Sequence, residues 1–243
     1  VGADGVEPAA GRGAHRPALV MLPGLDGSGQ LFGPFSACVA DILDPQPVGY
    51  PSNRLWGYED LLPFVRERLP DGPSVVLGES FSGPLAVMLA DALPAQVSAV
   101  VLVSSFARLP LPPRAAWLAG RVEAARCPQW LTAFALTDQT TPPAMREELS
   151  RQARALAPPL VERRLRAVFG VDVRPTLDRL RCPVLAVHGR GDRLVPLWWA
   201  RRDLGRCRGV TFQAVAGPHM LLQSVPQAVA RCIAAWLPMR RNA

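Results

Sequence analysis

Short apolar runs closed by glycine, proline or serine alternate along this chain with segments whose apolar residues recur at helical spacing. The first run, Ala18–Leu22, ends at Pro23-Gly24, and its unbroken apolar character predicts a strand buried on both faces. A glycine-rich loop, Leu25-Asp26-Gly27-Ser28-Gly29, follows it, and residues 31–40 read as a helix. Residues 42–50 carry two prolines, which predicts a short or edge strand. Residues 58–69 place Leu61, Leu62, Val65 and Leu69 on one helical face and stop at Pro70-Asp71-Gly72-Pro73. An apolar strand from Ser74 then runs into Gly78-Glu79-Ser80-Phe81-Ser82-Gly83-Pro84, with a helix predicted from about Gly83 to Leu93. Further strands are expected at 99–103, 183–187 and 210–215, with helices at 197–204 and 224–237. Strands alternating with helices predict an α/β fold: a mostly parallel central sheet flanked by helices.

One segment breaks the alternation. Residues 107–175 contain no strand pattern, only helical stretches at 114–126, 144–157 and 160–169, punctuated by Pro112-Pro113, Pro142-Pro143 and Pro158-Pro159. The reading is a helical lid inserted between two strands, so that 18–106 and 176–243 form the core and 1–17 a flexible N-terminal tail. The lid's eleven arginines against six acids supply most of the chain's net charge of +7.

Length and composition narrow the function classes. A chain of 243 residues that is 49% hydrophobic builds one sizeable core. All 27 basic residues are arginine, and no nucleic-acid-binding motif accompanies them, so nucleic acid is not an expected partner. The lid arginines with Trp198-Trp199 leave contact with an anionic membrane surface as a weaker expectation. Cys38, Cys127, Cys182, Cys207 and Cys232 show neither disulfide nor zinc spacing, and the tail lacks the apolar core of a signal peptide. The expectation is a cytoplasmic protein with reduced thiols, no metal and no cofactor.

The candidate chemistry sits where predicted strands end, which is where parallel sheets bind ligands. Ser80 occupies the apex of the strand-to-helix turn, where a serine attacking a carbonyl must stand clear of the sheet. Of the three histidines, His15 lies in the tail and His188 reads as structural, fixing the turn into Gly189-Arg190-Gly191-Asp192. His219 follows the last strand and is the candidate base. Asp192 follows the preceding strand and is the candidate carboxylate that orients it. Phe81, directly after the nucleophile, and Leu25, after the first strand, are the candidate oxyanion N–H donors.

The order Ser80, Asp192, His219 and the motif around Ser80 resemble the α/β-hydrolase superfamily over roughly residues 18–237. More narrowly, Leu22-Pro23-Gly24-Leu25-Asp26-Gly27-Ser28-Gly29 with Gly78-Glu79-Ser80-Phe81-Ser82-Gly83 is similar to bacterial serine esterases related to the phytyl ester synthase group. The sequence departs from that pattern at Pro23, where the family shows histidine, and at Ser82, where it shows glycine. The family's first two strands have no counterpart before Ala18. The resemblance implies an α/β-hydrolase fold and a serine hydrolase that cleaves carboxylic esters of small-molecule substrates through an acyl-enzyme. An acyltransferase passing the acyl group to an alcohol, or a non-catalytic binding protein on the same fold, are the alternatives. Ser82 reads as a small spacer, so Ser82→Gly is expected to keep or raise activity.

Overall fold

A computed structural model describes residues 16–109 and 129–241. Its centre is one six-stranded sheet in the order β2-β1-β3-β4-β5-β6, with every neighbouring pair parallel. The strands are β1 (Ala18–Leu22), β2 (Asp44–Pro47), β3 (Ser74–Glu79), β4 (Val97–Val103), β5 (Val184–Gly189) and β6 (Val210–Val215). The proline-bearing strand β2 lies at one edge, as expected for residues that cannot donate to a ladder on both sides.

Side-chain alternation along the buried strands divides the core into two layers. Val20, Leu22, Val76 and Val100 point to the face covered by α2 (Tyr58–Arg66), α3 (Gly83–Ala92) and, after β5, α8 (Leu197–Asp203). Leu19, Met21, Val75 and Val101 point to the other face, covered by α1 (Gly33–Val39), the short α9 (Leu221–Ser224) and α10 (Pro226–Arg241). Both faces are therefore dry, which is why the strands read as unbroken apolar runs.

Chain direction across the sheet positions the site. From β1 the chain crosses to the edge strand β2, then returns past β1 to lay down β3 on its other side. The loops leaving β1 and β3 thus diverge from adjacent strand ends, where Leu22 pairs with Gly78. Such a switch point opens a crevice at the carboxyl edge of the sheet.

Between β4 and β5 the chain leaves the sheet. The described part of this insertion forms α4 (Gln129–Leu136), α5 (Pro143–Ala155), α6 (Pro158–Gly170) and α7 (Arg174–Leu177); the helix expected at 114–126 lies outside the described residues. Its neck is closed by polar groups. The Val173 N–H donates to the Ala107 carbonyl at 3.0 Å, and one oxygen of buried Asp203 accepts the N–H groups of Ala107 (2.7 Å) and Arg108 (3.1 Å). Among the described residues no helix is long and apolar enough to cross a membrane.

At the turn from β3 into α3, strand and helix backbones touch. A Cβ on Gly78 would stand 2.5 Å from the Ser82 carbonyl oxygen and 2.8 Å from the Gly83 Cα; one on Gly83 would stand 1.8 Å from the Ser105 Oγ. The second glycine of the motif is thus needed at 83, against β4, while position 82 tolerates a side chain. Gly78→Ala should lower the unfolding free energy by about 1–3 kcal/mol, because backbone cannot yield as a side chain can. Urea denaturation reads this directly, and an unchanged midpoint would show that strand and helix separate freely.

Candidate active site

Ser80 closes β3 at a left-handed backbone angle, φ 48°, and opens a 3₁₀ turn over Ser80–Ser82. A non-glycine residue held there stores backbone strain, and that strain lifts its side chain off the sheet. Ser105 Oγ, from the end of β4, donates to the Ser80 carbonyl at 2.7 Å and holds the conformation.

The loops after β5 and β6 bring the other two candidates to this serine. His219 Nε2 lies 2.8 Å from Ser80 Oγ, and its Nδ1 lies 2.8 Å from Asp192 Oδ2. One imidazole thus links the serine and the aspartate, with the Ser80 hydroxyl donating to Nε2 and the Nδ1–H donating to the carboxylate. The other Asp192 oxygen accepts the N–H groups of Leu194 (2.9 Å) and Val195 (2.8 Å), so the carboxylate cannot rotate. Burial alone pushes the Asp192 carboxyl up, but the facing His219 and the hydrogen bond from His188 outweigh it and hold the group well below the usual carboxylate range. His188 does fix the turn, as expected, through its Nε2 at 2.7 Å from the Val195 carbonyl. That same nitrogen is also 3.2 Å from Asp192 Oδ2, a contact that the one-dimensional pattern does not contain.

A profile of the alpha/beta hydrolase family matches residues 5–232. The chain belongs to that family. Similar solved structures include the enol-lactonase from Burkholderia xenovorans LB400, at 16% identity and TM-score 0.79 over 94% of each chain. The esterase from Exiguobacterium antarcticum is 14% identical, with TM-score 0.77 over 92% of each chain. The bromoperoxidase from Bacillus anthracis is 14% identical, with TM-score 0.78 over 93% of each chain. At these identities the likeness establishes a shared fold. Curated proteins give no sequence match.

In this family member the loop after β1 lies against the turn from β3 into α3. A Cβ on Gly24 would be 3.9 Å from the Ser80 Cβ, so the residue before the candidate donor Leu25 lies beside the serine. Phe81 is buried, and its carbonyl accepts the Tyr58 hydroxyl at 2.7 Å. Ser82 is more than a spacer. Its hydroxyl donates to the Pro23 carbonyl and lies 2.6 Å from the Tyr50 hydroxyl, all out of contact with water. The two positions that depart from the family pattern, Pro23 and Ser82, are therefore bonded to each other, so Ser82 adds a stabilising contact to its role as a small residue in the turn. Removing the Ser82 hydroxyl strands two buried polar groups and should cost about 1–3 kcal/mol of stability. Thermal unfolding of Ser82→Ala checks this, and a neutral result would mean that Tyr50 and Pro23 find other partners.

Sequence reasoning also passed over Glu79, the residue before the nucleophile. It is buried and its Oε1 has no partner, and the Gln223 side chain and the Gly24 N–H beside it offset that burial only in part. Burial first, then repulsion from Asp26, pushes its carboxyl up to about 8. Its neutral form is thus favoured at pH 7, and the side chain lies between the turn at Ser80 and the loop after β1. Among the described residues, no group of three or more His, Cys, Asp or Glu is arranged to hold a metal ion.

Proton binding at Glu79 links folding stability to pH. The folded protein keeps this proton while the unfolded chain releases it near the ordinary value of 4.5, so stability is full below 4.5 and declines as pH rises to about 8. Glu79→Gln cannot ionise and should lack that decline. Its Tm relative to wild type should rise steadily across this window, and a constant difference from acid to mildly alkaline pH would show that Glu79 is charged in the folded state.

Proposed function

We propose that the protein is a carboxylic-ester hydrolase that works through an acyl-enzyme. The observation that carries this reading is the single hydrogen-bonded line from Ser80 through His219 to Asp192 at the carboxyl edge of the sheet. Ser80 Oγ attacks the acyl carbonyl as its proton passes to His219 Nε2. Asp192, low in pKa and fixed by two backbone N–H groups, holds the imidazole in the tautomer that can accept that proton and favours the imidazolium that results. The oxyanion is met by the N–H of Phe81 and, from the loop after β1, that of Leu25. His219 then protonates the departing alcohol, and a water molecule deprotonated by the same nitrogen releases the acid. Residues 107–175 act in this reading as a cap over the crevice.

Ser80→Ala should abolish turnover of p-nitrophenyl esters and labelling by a fluorophosphonate, with the far-ultraviolet circular dichroism unchanged. Full turnover by this variant would remove the assignment. Product analysis with a long-chain alcohol added separates hydrolysis from acyl transfer, the expected product being the free acid.

A further inference from the structure

The insertion sends one side chain into the site. Arg164, on α6, is almost completely buried, and its Nη1 donates to the Leu25 carbonyl at 2.6 Å. Its guanidinium lies against Gly27, where a Cβ would be 2.4 Å from Nη1 and 2.7 Å from Nη2. The ring faces of Tyr50 and Phe81 lie 5.7 and 5.9 Å from its central carbon. The neighbouring Arg163 turns outward to pair with Glu59 and Asp60 on α2, so two successive arginines of one helix do different work.

A buried guanidinium spending one donor on one carbonyl, with its Nε unpaired, is a costly device. Packing does not require it, since an apolar side chain of similar volume would fill the space without burying charge. What it touches gives the reason. Three successive carbonyls of the loop after β1 are each tied: Pro23 by Ser82, Gly24 by the Gly27 N–H at 3.1 Å, and Leu25 by Arg164. The Gly27 carbonyl in turn accepts the Tyr50 N–H at 2.7 Å. Two of the five loop residues are glycine, so the backbone has freedom that these ties, with the Asp26 carboxylate accepting from Ser28, remove. The first and fourth ties come from the core, the second lies within the loop itself, and the third comes from the insertion.

We propose that Arg164 is a positioning residue for the oxyanion site: by gripping the Leu25–Asp26 peptide plane through the Leu25 carbonyl, while the Gly27 N–H grips the Gly24–Leu25 plane that carries the Leu25 N–H, it fixes the backbone at Leu25 from both sides, so that seating of α6 on the core completes the catalytic arrangement. Its fixed positive charge, set in a water-poor pocket beside Phe81, adds to the field that favours an oxyanion. The inference rests on the ester-hydrolase reading above.

The test compares Arg164→Met, which keeps bulk and packing, with wild type, using a p-nitrophenyl ester and a trifluoromethyl ketone that forms a tetrahedral adduct with Ser80. Loss of one oxyanion donor should lower kcat by about 10²-fold. KM should stay within about threefold, and the inhibition constant of the ketone should rise in step with the loss in kcat. A purely structural role would lower Tm while leaving kcat and ketone affinity of the folded enzyme unchanged, and that result would overturn the proposal. If Arg164→Met does not fold, Arg164→Gln, uncharged and too short to reach the Leu25 carbonyl, carries the same comparison: a fall in kcat matched by the ketone supports the proposal, and parity with wild type refutes it. Absence of any ester turnover by wild type, or its persistence in Ser80→Ala, would instead refute the parent reading.

Discussion

The contact on which the site depends is backbone against backbone where β3 meets α3. Gly78 lies against the Ser82 carbonyl and Gly83, and Gly83 in turn against Ser105. With strand and helix this close, the residue between them has no room for ordinary strand geometry and is driven to positive φ. Ser80 is that residue. The strain is held by the two layers of core on either side of the sheet, whose burial far exceeds the roughly 1–3 kcal/mol that one such conformation costs.

A second constraint follows from topology. Because β3 is laid down beside β1 after the chain has visited the edge, two loops must share one crevice. The protein fills the space between them with polar groups that water does not reach: Glu79, Ser82, Tyr50 and Arg164. Unpaired buried polar atoms, such as Glu79 Oε1 and Arg164 Nε, lower stability at this place rather than raise it. They lie beside the candidate nucleophile and the loop after β1, where a water-poor polar setting strengthens electrostatic interactions. Stability and preorganisation pull in opposite directions here, and the local balance favours the second.

The insertion belongs to this arrangement as well as covering it. Asp203, on a core helix, gathers the first N–H groups of the departing chain, and the Val173 N–H closes the loop back onto Ala107. From that neck α4 reaches the histidine loop, where the Met220 N–H donates to the Leu136 carbonyl at 3.0 Å, and α6 reaches the loop after β1. The insertion thus touches the segments bearing the candidate base and the candidate oxyanion donor; of its arginines, Arg151, Arg163, Arg166 and Arg174 form surface ion pairs and Arg164 makes a buried contact.

Much of this protein was legible along the chain because the signals are local. Unbroken apolar runs follow from a sheet dry on both faces, Pro45 and Pro47 mark an edge strand, and a serine between Gly78 and Gly83 marks a turn too tight for a Cβ on either side. Strand ends alone are enough to nominate Ser80, Asp192 and His219. What pairs with what across long sequence separations had no such signal. Ser82 bonding to Pro23, 59 residues away, and Arg164 to Leu25, 139 residues away, depend on the crossover order of the sheet and on where the insertion docks. A buried arginine and a buried glutamate look, in one dimension, like any surface charge. Periodicity reports which face of an element is apolar, whereas desolvation, and with it the neutral Glu79 and the anchored loop, exists only once distant segments have closed over those groups.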